Sequence, residues 1–248
     1  MLFSLFFITS SIISFLNNII FDIFFFKKKV RLFARSKCVS CKKNISFIDL
    51  IPVIGYLLRK GKCSNCNYKI PSIYFFTELI IPTICVIFLF RNVNSQMIEI
   101  NSLLIFSLIL TLYCISTIDY LTYQIPLILV IFVLIIACSF SILNNELDIF
   151  SILNFFIFYF GLSLINIFYK FMKGVIGIGK GDIQLIACLS IFFDFQFIIL
   201  QILFSSLFGI SFILIMFVLK RSDMRKKIPF APFISISHLL LLYVQQKT

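Results

Sequence analysis

Residues 177–219 read GIGKGDIQLIACLSIFFDFQFIILQILFSSLFGISFILIMFVL. Behind the glycine-rich turn the run stays apolar for far longer than one bilayer crossing requires, which is about 20 residues. As one helix it is too long, so it must break. A polar patch at Asp194 to Gln196, with Gln201 nearby, supplies the break, and the stretch predicts two spans, 183–198 and 199–219. Asp182 stands behind three glycines at the mouth of the first of these spans. A carboxylate near hydrocarbon is costly, so that position needs a reason.

Working outward, 61% of the 248 residues are hydrophobic, against roughly 45–50% in soluble domains. Further apolar runs lie at about 2–26, 73–90, 102–118, 125–143, 149–169 and 231–245. The chain is therefore read as an all-α polytopic membrane protein of about eight transmembrane helices. The first run lacks a basic leader and a small-residue cleavage site, so it reads as an uncleaved anchor rather than a signal peptide. Three segments follow from this pattern: a first helix (1–26), a polar insert (27–72) and a transmembrane core of about seven helices (73–248).

Charge suggests orientation. Of the 22 Lys and Arg residues, 12 fall in 27–72, three in 170–180 and five in 220–227. By the positive-inside rule these loops face the cytoplasm and the N-terminus lies outside. The +12 net charge is then a topology signal with anionic lipid as its partner. The basic residues flank spans without interleaved stacking aromatics, so no nucleic-acid partner is expected. No internal repeat stands out.

The insert is too small to bury a large core and needs a staple. Cys38-Val-Ser-Cys41 and Cys63-Ser-Asn-Cys66 are two C-x₂-C turns, each able to present two thiolates to one tetrahedral Zn²⁺. Disulfides are the alternative, disfavoured in a reducing cytosolic loop. A closed four-cysteine site is structural.

Of ten acidic residues, Asp22, Glu78, Asp119 and Asp182 lie in or beside spans at the basic-loop side. Asp119 closes the 102–118 span in STIDYLTYQIP (116–126), and Asp182 opens 183–198. Both therefore belong at one depth. Two carboxylates around a common water cannot both ionise; one keeps a proton as acid while the other acts as base. That is aspartic-protease chemistry. Gly177, Gly179 and Gly181 would let an extended peptide approach the backbone closely and take positive φ where needed. Alternatively, each aspartate is a helix cap. A proton-coupled transporter or a membrane scaffold with a structural zinc ribbon also stays open at this point. A nucleotide-binding turn does not, because no strand precedes the glycines.

These residues resemble the type IV prepilin leader peptidases (prepilin peptidase/N-methyltransferases), within the GxGD intramembrane aspartic proteases. Gly177, Gly179, Gly181-Asp182 and Leu185 match the family's G-x-G-x-G-D-x-x-L. Asp119 through Ile125-Pro126 matches its second aspartate motif, with Leu127 where the family usually has Asp. Ser14–Asn17 is similar to G-S-F-x-N, and the cysteine insert with IPVIGYLLRKGKC (51–63) to the family's cytoplasmic domain. Tyr74 and Glu78 match R-Y-P-x-V-E in part, and IPFAPF (228–233) is similar to P-F-G-P. The resemblance implies a bifunctional enzyme of the bacterial inner membrane. It would cleave the leader of type IV prepilins or type II secretion pseudopilins on the cytoplasmic side with Asp119 and Asp182. It would then methylate the new N-terminus with S-adenosylmethionine. Glu78 would orient that cofactor or the new amine, unless it pairs with Lys69 at the headgroups.

Overall fold

The computed structural model describes residues 2–25, 36–91, 98–144, 148–219 and 228–245. The basic run 27–31 and the basic loop 220–227, on which the orientation reading draws, lie outside the described residues. In chain order the helices are α1 (Leu2–Ile20), continued by a π-helical turn at Phe21–Phe25, then a 3₁₀ turn at Ile48–Leu50 and the short α2 (Ile54–Leu58). α3 (Ser72–Arg91), α4 (Ile98–Thr122), α5 (Leu127–Leu143), α6 (Ile149–Lys173), α7 (Lys180–Leu189), α8 (Phe195–Val218) and α9 (Ala231–Gln245) follow. Five segments, in α1 with its π-helical turn, α3, α4, α6 and α8, are long and apolar enough to cross a membrane, and α5 and α9 are shorter apolar helices. The all-α polytopic reading holds, with five such helices and two shorter apolar ones among the described residues, and the short α7 is not itself long enough to cross.

The chain divides into two compact units, residues 1–102 and 103–248. In the first, α1 packs along α3. Thr9, Ser10, Ile13, Asn17 and Ile20 are buried at helical spacing on α1. The polar members have a specific task. Pro82 lies inside α3 and cannot donate to the carbonyl four residues back, that of Glu78. The Ser10 hydroxyl donates to that freed carbonyl at 2.9 Å, as a backbone in hydrocarbon requires. Asn17 donates to the Thr77 hydroxyl at 2.9 Å on the next turn.

The cysteine insert contains a repeat too short to stand out in the sequence. KCVSCKKN (37–44) and KCSNCNYK (62–69) fold alike. Lys37 pairs with Asn44, and Lys62 with Lys69, as isolated antiparallel bridges. In each, the first cysteine's N–H donates across the turn, Cys38 to Lys43 O and Cys63 to Tyr68 O, both at 2.9 Å. The residue after the second cysteine is left-handed, Lys42 at φ 57° and Asn67 at φ 55°. Between the turns, Arg59 donates to Asp49 at 2.6 Å. Burial opposes the Asp49 carboxylate, but the Arg59, Ser46 and Ser64 hydrogen bonds together hold it below its ordinary range.

In the second unit α7 is the inner helix. Ile183 and Leu185 through Leu189 are all buried, with α5, α6 and α9 packed around them. Ten residues reach about 15 Å, half a bilayer core, and a 3₁₀ turn at Ser190–Phe192 extends it. The break in the 177–219 stretch thus falls earlier than 198/199. Phe193 is extended, and Asp194 caps α8 with φ −67° and ψ 157°. Asn154 of α6 donates to the Phe193 carbonyl at 3.3 Å, satisfying the interrupted backbone. α6 and α8, by contrast, expose Phe160, Ile167, Leu207 and Ile210, as lipid-facing helices do.

Candidate active site and metal centre

Asp119 sits in the last turn of α4, which runs on to Thr122 instead of stopping at 118. It is buried, and its Oδ2 accepts the N–H of Ala231, the first residue of α9, at 3.1 Å. One turn away, Ser116 and Ser235 share a hydrogen bond of 3.0 Å. These two rungs fix α4 against α9. Past Asp119 the chain reverses through Tyr123 at φ 55°, its N–H donating to the Asp119 carbonyl at 2.8 Å. Ile125 and Pro126 then lead into α5.

Asp182 is the third residue of α7, whose N-cap is Gly179, so the reading of Asp182 as the cap is corrected. The three glycines each answer a different contact. A Cβ on Gly181 would come within 2.8 Å of Ile125 Cβ, one on Gly179 within 2.7 Å of Asp182 Oδ2, and one on Gly177 within 3.0 Å of the Tyr169 ring. The Gly181 contact sets the first turn of α7 directly against the turn that follows Asp119. None of the three glycines takes positive φ; in this stretch only Gly174 does, at 72°, as the residue that ends α6. Positive φ is thus needed at none of the three, and what these contacts require is the missing Cβ.

Sequence reasoning missed Asn166. From α6 its amide donates to Ile178 O at 2.9 Å, and its Oδ1 accepts the N–H groups of Gly177 and Ile178 at 3.0 and 3.1 Å. It pins the glycine loop in place. The signal was present: an amide in a largely apolar helix is expensive without partners. Ala231 lies in the IPFAPF motif (228–233), but nothing in the sequence said that its N–H would reach Asp119, because only its backbone acts.

In the first unit the four sulfurs of Cys38, Cys41, Cys63 and Cys66 all lie within 4.8 Å of one another. Tetrahedral thiolates about 2.3 Å from zinc stand about 3.8 Å apart, and Cys38 Sγ to Cys66 Sγ is 3.7 Å. The donor set fits zinc. Burial pushes the Cys38 thiol up to about 11, while the N–H groups of Asn65 and Cys66 draw Cys63 down to about 7.

Glu78 is buried on the second turn of α3, and its Oε2 accepts the N–H of Val53 at 3.0 Å. Val53 is held at φ 62°, ψ −54°, a region a β-branched residue rarely adopts. One oxygen of this carboxylate thus helps to shape the insert.

Comparison with known proteins agrees with this architecture. Residues 7–92 match the bacterial peptidase A24 N-terminal domain, and residues 106–214 match the type IV leader peptidase family. The chain is 30% identical to a prepilin leader peptidase/N-methyltransferase of Pseudomonas aeruginosa, over 82% of this chain and 69% of that one. It is 29% identical to the protein of that name from Dichelobacter nodosus, over 82% and 68% of the two chains. With the one from Vibrio cholerae it shares 27% over 84% and 81%. No solved structure matches it. On the matched segments and this identity, the chain belongs to the type IV leader peptidase family.

Proposed function

We propose that the protein is a membrane aspartic endopeptidase that removes the leader of type IV prepilins or pseudopilins at the cytoplasmic face. The supporting observation is the close approach of Gly181 to Ile125, which carries Asp182 to the turn of Asp119. Asp119 acts as the ionised base. The first N–H of α9 donates to its Oδ2, and a donor at a helix N-terminus favours the charged carboxylate. Asp182, beside that charge, keeps the proton and serves as acid. A water held between them is deprotonated by Asp119 as it attacks the scissile carbonyl, while Asp182 protonates the carbonyl oxygen.

The decisive experiment is prepilin processing by wild type, Asp119→Asn and Asp182→Asn in detergent, with product N-termini read by mass. Either variant should nearly abolish cleavage, because removing one member of a coupled catalytic unit costs about as much as removing both. Substantial processing by either one would overturn the assignment. Methylation of the new N-terminus with S-adenosylmethionine is the proposed second activity, supported by the names of the relatives. Zinc on the four cysteines would hold the insert together, with no catalytic part.

A further inference from the structure

The segment around α2 is unusual for an insert that looks soluble. Ile48, Leu57 and Leu58 are 61, 59 and 63% exposed, and Ile51 and Ile54 are exposed as well. They form one ledge rather than scattered positions. The 3₁₀ turn Ile48–Leu50 packs on α2 so closely that a Cβ on Gly55 would collide with the Asp49 carbonyl. The Arg59–Asp49 pair ties the same two turns together.

Three contacts hold this ledge beside the start of a membrane helix. The Tyr56 ring stacks on Phe75 of α3, centroids 5.2 Å apart. The Tyr56 hydroxyl donates to Ile70 O at 3.4 Å, just before α3 begins. Glu78 accepts the Val53 N–H immediately before α2. Glu78 lies six residues past Ser72, where the α3 span begins, so the bond sits about 9 Å along the helix at 1.5 Å per residue. Interfacial segments bury their apolar side about 5–10 Å into the headgroup and acyl boundary. With the bilayer boundary taken at Ser72, where the apolar α3 segment starts, that bond lies at the depth of such segments.

Charge selects the same partner. Lys37, Lys42, Lys43, Lys60, Lys62 and Lys69 are exposed on the insert, whose one acidic residue between 36 and 71 is Asp49, already paired. Exposed aliphatics with surrounding lysines suit a bilayer surface containing anionic lipid.

We propose that residues 48–58 form a membrane-interface foot, with Ile48, Ile51, Ile54, Leu57 and Leu58 resting in the headgroup region of the leaflet where α3 starts. The foot fixes the height of the cysteine cluster above the bilayer. The partner is lipid, and neither a pilin nor a second copy of the chain is required to cover the ledge.

The chain contains no tryptophan, so a single introduced one reports its own surroundings. Full-length Leu57→Trp and, separately, Ile48→Trp are reconstituted into phosphatidylethanolamine/phosphatidylglycerol vesicles with lipids brominated at shallow or deep acyl positions. Asn65→Trp, on the exposed tip of the second cysteine turn, is the reference. Both foot positions should emit at shorter wavelength and be quenched several-fold more than Asn65→Trp, most strongly by shallow bromines. Both substitutions are at exposed sites in different turns, so misfolding of one leaves the other to report. Quenching no greater than that of Asn65→Trp, or quenching that appears only from deep bromines, overturns the proposal. Protection of both tryptophans without bromine quenching would overturn it as well, assigning the ledge to a protein partner.

Discussion

Asp119 and Asp182 are identical in chemistry and differ in what surrounds them. Asp119 is buried and receives a helix N-terminal N–H; Asp182 stands on the first turn of α7, which meets the turn after Asp119 where Gly181 approaches Ile125. In an active form that carries one shared proton, the acid limb of kcat/KM reports the first deprotonation. If Asp119 is the ionised member, removing its donor makes that deprotonation harder and moves the acid limb to higher pH, with the alkaline limb unmoved. Ala231→Pro removes that N–H at the first helical position, where proline is tolerated, and sets a ring carbon beside the carboxyl at a fully buried site. A hydrogen bond to a charged group is worth about 1.5–3 kcal/mol, or about 1–2 pH units. Ala231→Gly keeps the N–H and should retain the wild-type limbs. A shift of the alkaline limb in Ala231→Pro would reverse the two roles.

At the level of elements, the glycine loop is built from contacts of unequal tolerance. Gly181 faces Ile125 Cβ, which is fixed to the backbone, whereas Gly177 faces the Tyr169 ring, which can swing. Processing should therefore fall most in Gly181→Ala and least in Gly177→Ala, measured as initial rates on one prepilin. A milder loss for Gly181→Ala would mean that the two turns do not meet during catalysis. Asn166 holds the same loop from α6. Asn166→Leu removes the partner of the exposed Gly177 N–H and of the half-buried Ile178 N–H and carbonyl, and an unpaired buried group costs about 1–3 kcal/mol. Cleavage should drop by about 10- to 100-fold, with membrane insertion retained. Unchanged cleavage would show that the loop is held by other means.

For the molecule as a whole, the two compact units give separable tests. If four thiolates close one tetrahedral site, purified protein should carry about one zinc per chain, read by elemental analysis. Cys63→Ser should release it and loosen the insert, with a smaller effect on prepilin cleavage by residues of the second unit. Absence of zinc in freshly prepared, reduced protein would assign the cluster to free thiols. Glu78→Gln tests the first unit differently. A neutral amide oxygen still accepts the Val53 N–H, so the insert should stay folded and cleavage should persist. Label transfer from S-adenosylmethionine to cleaved pilin by wild type and equally by Glu78→Gln would confine Glu78 to a structural part. Loss of transfer alone would place its charge in the methylation.

The helices, the paired cysteine turns and the two aspartates were legible along the chain because each rests on local physics. Hydrophobic length decides a span, a C-x₂-C turn brings two sulfurs together, and a carboxylate in an apolar run advertises itself by its cost. The ledge at 48–58, the bond from Val53 to Glu78 and the Ser10 bond that repairs the Pro82 gap were not legible, since each joins residues far apart in sequence. The break near Asp194 was visible, yet its position was set by Asn154 of another helix. The sequence placed the donor to Asp119 inside the IPFAPF motif (228–233) but gave no sign of its partner. That donor is a backbone N–H, which every residue but proline carries, and only the docking of α9 on α4 aims it at the carboxylate.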